Sequence, residues 1–124
     1  IEDLRLAMKL SDKLGGIFIY KKRRETYRKA VKDILYFESL NREVKIVSTE
    51  GEDQFYGKLD NVFEQMAKYQ FLYIHKSYIV NYFHVTKFKY EEVTMSNAVV
   101  LPISQSRRKE TRELQIRYER EGVE

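Results

Sequence analysis

Residues with catalytic potential are few and poorly matched to one another. His75 and Ser77 stand two apart in FLYIHKSYIVN (71–81), the spacing at which strand neighbours share a face. A histidine base beside a serine hydroxyl is therefore the first chemistry to weigh. That chemistry also needs a carboxylate to orient the base and backbone donors for an oxyanion. No aspartate lies near the pair in sequence, and no glycine-rich turn follows it. Metal binding would draw on His75, His84 and carboxylates, but a nine-residue gap between the histidines matches no familiar ligand spacing, and the chain has no cysteine. Glu91 and Glu92 are adjacent and would point to opposite faces of a strand. The five glycines are scattered and make no phosphate cradle. These residues argue against an enzyme and call for no metal or cofactor.

The basic and polar residues fit recognition better. Net charge is +4 over 124 residues, and its distribution is uneven. KKRRETYRKAVK (21–32) holds seven positive charges and one negative, so the other 112 residues carry a net −2. A second basic run, Arg107-Arg108-Lys109, lies near the C-terminus. Basic charge concentrated on a near-neutral body is the footprint of a polyanion partner, although such runs also serve as solvated surface. Three separated polar segments carry groups suited to phosphates and base edges. They are Asn41-Arg42-Glu43 with Lys45, then His75-Lys76-Ser77, then Ser104-Gln105-Ser106-Arg107-Arg108-Lys109. RNA recognition would favour exposed aromatics for stacking, yet most of the ten tyrosines sit beside aliphatics in strand patterns. The other reading these segments leave open is a β-rich protein-interaction module whose basic loops bind an acidic protein.

The elements that must position these segments are mostly strands. Short runs rich in Ile, Val, Tyr, Phe and Thr occur at 17–20, 26–31, 34–39, 44–49, 53–57, 71–74, 85–90, 92–95 and 99–103. Their connections are too short for parallel crossovers, which predicts antiparallel pairing. The expected fold is a mainly β, compact antiparallel multi-sheet domain with one short amphipathic helix and a C-terminal helical segment. In KLDNVFEQMAKY (58–69), Leu59, Val62, Phe63 and Met66 form the helical stripe. The C-terminal helix is expected from Arg107 to about Arg120, with Ser104 or Ser106 placed to cap it. The single proline, Pro102, suits an edge strand or strand exit. Residues 2–14 read as a short helix stopped by Gly15-Gly16. Residues 1–16 are thus expected to be a linker or tail from a preceding domain, and 17–124 the domain proper. Strict alternation along 71–78 would place His75 with Phe71 and Tyr73, and Lys76 on the other side. FLYI is better read as a strand entering a turn at Lys76, with YIVN returning to the core. No stretch reaches the roughly 18 apolar residues of a membrane span, and the N-terminus lacks a signal-peptide core. Those features and the missing cysteine suit the cytoplasm.

The motif order DILYFES (33–39), FYGKL (55–59), FLYIHKSYIVN (71–81) and LPISQSRRKE (101–110) resembles the LytTR family of DNA-binding domains, over about residues 17–114. The resemblance implies an almost wholly β domain that serves as the output domain of a bacterial two-component response regulator. It implies sequence-specific binding of double-stranded DNA at direct-repeat promoter sites, with three loops entering successive major grooves and bending the duplex. An upstream receiver domain and a dimer on DNA are implied as well. By position, the first DNA loop is Asn41-Arg42-Glu43. Some relatives have a base-contacting histidine where this chain has Val44, which leaves Arg42 and Lys45 as candidates. Lys76 occupies the contact position of the second loop, between His75 and Ser77. Many relatives have arginine at Ser106, so Arg107 and Arg108 are the candidates in the third loop.

Overall fold

The computed structural model describes residues 15–123. The helix expected over 2–14 falls outside these residues. Ten strands form three sheets, and every strand pair is antiparallel. β1 (Ile17–Lys22) and β2 (Glu25–Ala30) make a hairpin. A central five-stranded sheet has the order β5-β4-β3-β7-β6. It is built from β3 (Ile34–Leu40), β4 (Glu43–Ser48), β5 (Gly51–Tyr56), β6 (Phe71–His75) and β7 (Tyr78–Asn81). The third sheet joins β8 (Val85–Phe88), β9 (Glu92–Met95) and β10 (Val100–Pro102). Helix α1 (Leu59–Met66) links β5 to β6, and α2 (Arg108–Val123) closes the chain.

The central sheet is buried on both faces. On one face Phe37, Val44, Ile46, Phe55, Phe71 and Ile79 pack against Phe18 and Tyr20 of the hairpin and Leu59, Val62 and Met66 of α1. On the other, Leu35, Tyr36, Val47, Leu72, Ile74 and Val80 meet Val93, Met95, Leu101 and Ile103, with Tyr118 of α2. Central strands therefore alternate between two apolar environments, and so their sequences show no polar alternation. Leu72 and Phe71 are adjacent and both fully buried, as are Ile79 and Val80. Each such Phe, Leu, Ile or Val side chain contributes roughly 1.5–3 kcal/mol on burial.

The expected amphipathic stripe on α1 is core packing, with Leu59, Val62 and Met66 buried and Phe63 resting on the same cluster. Pro102 ends β10, the edge strand of its sheet, where its missing N–H leaves no ladder bond unmade. Ser104 does not cap a helix with its side chain. Its hydroxyl donates to the Ile74 carbonyl (3.4 Å), and its N–H donates to the same oxygen (2.9 Å). Gly16 meets a close approach: a Cβ there would overlap the Tyr69 ring. Its carbonyl accepts from the Val31 N–H at 2.8 Å.

One buried polar side chain joins three segments. The Asn81 amide donates to Ile34 O (2.8 Å) and Val31 O (3.4 Å), and its oxygen accepts from the Phe83 N–H (3.0 Å). It thereby holds the 3-10 turns at Val31–Asp33 and Tyr82–His84 against the end of β7. Asn81→Ala would leave these backbone groups without partners, so it should destabilise the domain by about 2–3 kcal/mol in urea unfolding. A loss under about 0.5 kcal/mol would show that water replaces the amide.

Candidate nucleic-acid interface

Sheet register brings two of the three predicted loops to one end of the central sheet. Leu40 pairs with Glu43, so Asn41-Arg42 is a two-residue turn between β3 and β4. His75 pairs with Tyr78, leaving Lys76-Ser77 as the turn between β6 and β7. Because Glu38 pairs with Tyr78, the two turns emerge from the same end of the sheet. The Ser39 N–H donates to the Ser77 carbonyl at 2.9 Å and ties one turn to the other. With β3 and β7 between β4 and β6, the turn centres stand about 10 Å apart at ordinary strand spacing.

In the first turn Asn41 has φ of 58°, a left-handed conformation that asparagine adopts more readily than most residues. Asn41 and Arg42 are exposed, and Arg42 makes no ion pair among the described residues. Val44, which the resemblance set at a base-contact position, is completely buried in the core. Lys45 lies mid-strand on β4 rather than in the turn, and its ammonium sits 3.1 Å from Glu38 and 3.9 Å from Glu52. Its hydrogen bond to Glu38 raises its pKa against the opposing effect of desolvation. Lys45 is thus a half-buried cation already neutralised by two carboxylates.

The second turn departs from strict alternation. Tyr73 pairs with Ile79 and His75 with Tyr78, so Ile74 is the extra residue of a β-bulge. The bulge carries His75 to the side of Tyr78, where the two ring centroids lie 5.5 Å apart. His75 Nδ1 accepts the Ser77 N–H at 3.0 Å, so the proton of the neutral ring is on Nε2. Burial lowers the His75 pKa, and the neighbouring charges of Lys76 and Arg107 lower it further. His75 and Ser77 hold the turn's shape, while Lys76 stands exposed with no ion pair among the described residues.

The third segment docks along the open edge of β6. Besides the two Ser104 bonds to Ile74, Arg107 Nη1 donates to Tyr73 O at 3.3 Å. The Arg107 guanidinium carbon lies 4.3 Å from the Tyr73 ring centroid. Gln105–Arg107 forms a 3-10 turn with Ser106 exposed, and Arg108 Nε donates to Ile103 O at 3.2 Å. The three segments therefore form one row in the order Arg42, Lys76, Arg107.

Two residues absent from the sequence reading extend this row. Tyr56 pairs with Glu43 at the end of β5 and is 79% exposed, an unusual state for a tyrosine flanked by Phe55 in the core. Lys58 follows at the start of α1 and is exposed, while the Gly57 N–H donates to Arg42 O at 3.1 Å. The alternation DQFYG was the available signal, since it puts Tyr56 opposite Phe55. Two cations of the basic run 21–32 are engaged elsewhere. Lys22 is paired with Asp53 at 2.7 Å, and Lys29 reaches Ser48 near the β4–β5 turn at the opposite end of the sheet. Among the described residues no three His, Asp or Glu side chains are grouped to hold a metal. No described helix is long and apolar enough to cross a membrane.

The sequence model of the LytTr DNA-binding domain matches residues 24–115. The chain belongs to the LytTr DNA-binding domain family. A relative, the transcriptional regulatory protein NatR of Bacillus subtilis (strain 168), is 30% identical over 86 residues, which are 69% of this chain and 37% of NatR. The chain thus spans little more than a third of that relative's length. The solved LytTr DNA-binding domain of a putative methyl-accepting/DNA response regulator from Bacillus cereus superposes with a TM-score of 0.65 at 21% identity. That superposition covers 79% of this chain and 94% of the other and establishes the shared fold. Membership makes DNA binding for transcription regulation the function class of this LytTr domain.

The environment of His75 has a measurable consequence for the LytTr domain. Its folded pKa lies below the unfolded value near 6.5, so acid favours the unfolded chain. The stability it confers is complete above about pH 6.5 and is lost as pH falls through that value toward the folded pKa. Urea midpoints should therefore drop more steeply between about pH 7 and 5 for the wild type than for His75→Asn. Parallel pH profiles would remove the burial and charge effects assigned to this ring.

Proposed function

We propose that this domain binds specific double-stranded DNA sequences through three loops and bends the duplex, as the output domain of a two-component response regulator. The observation that supports this reading is that the Asn41-Arg42 and Lys76-Ser77 turns leave one end of the sheet while Arg107 docks on the adjoining β6 edge at Tyr73. Phosphate contacts from Lys76, Arg108 and the added Lys58 supply most of the affinity. Arg42, Asn41 and Arg107 have the donor geometry to read guanine or adenine edges. Lys45, held by Glu38 and Glu52, acts on the duplex mainly by bracing the first loop, and His75 and Ser77 do the same for the second.

Bending follows from size. Five strands span only about 19 Å, whereas successive major grooves on one side of straight B-DNA lie about 34 Å apart. That difference supports a duplex curved toward the protein, with the β6 edge adding the third loop. Direct-repeat sites occupied by two copies, a receiver domain joined through residues 1–16, and a cytoplasmic location belong to the same reading.

Selection of bound sequences from a random duplex pool tests it, followed by titration of the enriched and scrambled duplexes at several salt concentrations. The enriched duplex should bind more tightly, with a steep logarithmic salt slope. Lys76→Ala should weaken binding by about 1–3 kcal/mol on the enriched duplex if Lys76 reads a base, and about equally on both duplexes if it contacts phosphate. No loss on either would remove Lys76 from the interface. Failure to enrich any sequence, with a flat salt slope, would favour an acidic protein partner.

A further inference from the structure

Arg107 differs from Arg42 and Lys76 in being braced from below. Its guanidinium lies on the Tyr73 ring and donates to the Tyr73 carbonyl. The Tyr73 hydroxyl in turn donates to Asp60 Oδ1 at 2.9 Å, and Phe63 of α1 abuts the ring at a centroid distance of 5.3 Å. Asp60 sits in the first turn of α1, where a carboxylate is favoured by the helix dipole. The ring is therefore fixed at its hydroxyl and at one side, leaving its surface for the guanidinium.

We propose that Tyr73 and Asp60 are positioning residues that hold Arg107 in its duplex-contacting orientation, an inference that rests on the DNA-binding reading above. A long side chain loses rotamer freedom when it binds, and a planar guanidinium laid on a fixed ring has already lost much of it. One guanidinium nitrogen is engaged by the Tyr73 carbonyl, leaving the other donors for a phosphate or a base edge. A phenol hydrogen-bonded to a carboxylate also enriches its ring in electron density, which strengthens attraction for the cation above it. Burial and the Asp60 hydrogen bond push the Tyr73 pKa up to about 12, so the hydroxyl remains a donor throughout the neutral range.

A double-mutant cycle on the full chain tests the inference, with the enriched and scrambled duplexes as probes and circular dichroism confirming that every variant is folded. Tyr73→Leu should weaken binding to the enriched duplex about three- to tenfold, the range of a partly exposed cation–π contact. Tyr73→Phe and Asp60→Ala both keep the ring and remove the hydroxyl–carboxylate bond, so each should give a similar loss, smaller than that of Tyr73→Leu. In an Arg107→Ala background Tyr73→Leu should cost nothing more. The Arg107 Nε–H resonance, read without DNA, should carry a ring-current shift that Tyr73→Leu abolishes. Equal losses with and without Arg107, or no recovery by Tyr73→Phe, would reduce Tyr73 to a packing residue and overturn the inference. If selection enriches no sequence, the DNA-binding reading fails and takes this inference with it, even where the resonance shift is seen.

Discussion

The antiparallel pairing of β3 with β7 is the constraint on which the rest depends. It joins segments roughly forty residues apart and places two separate turns at one end of one sheet. The Ser39–Ser77 hydrogen bond extends that pairing into the second turn, and Asn81 secures its far end. Closing loops of this length carries an entropic cost that grows slowly with length. Phe37 and Ile79, paired across the two strands and completely buried, supply an immediate offset. Turn position at the interface is therefore set by core residues that never meet a ligand.

Much of this architecture is legible in the sequence because strands, turns and the α1 stripe are local patterns. Isoleucine, valine and aromatic runs mark the strands, and Leu59, Val62, Phe63 and Met66 mark the helix. The turns at Asn41, Glu50 and Ser96 fall where polar residues interrupt those runs. What local pattern cannot carry is a register event or a distant neighbour. The bulge at Ile74 adds one residue to β6 and reverses the side on which His75 emerges. Strict alternation had set His75 beside Phe71 and Tyr73. Ser104 looks like a helix cap by type, but an open β6 edge competes for its hydroxyl and wins.

Charge shows the same distinction. In the strongest basic run, residues 21–32, Lys22 is paired with Asp53 and Lys29 reaches Ser48, at the end of the sheet away from the two turns. Lys45 is neighbour to two acids that lie on different strands, a fact available only once register is known. By contrast, Arg42 and Lys76, which like Lys58, Arg107 and Arg108 have no carboxylate partner among the described residues, are single residues in short turns. Position relative to the sheet, rather than local charge density, separates cations available to a polyanion from those that stabilise the body.

The anchoring of Gly16 beneath Tyr69 also fixes where the described chain enters the sheet. Gly16 meets the 3-10 turn that precedes β3, and Glu121 of α2 bonds to Gln70 just before β6. Both contacts lie at the end of the sheet opposite Arg42 and Lys76. Gly16 and Glu121 therefore both lie away from the Asn41-Arg42 and Lys76-Ser77 turns. The same sheet thus separates the anchoring of these two residues from the end that carries the two exposed turn cations.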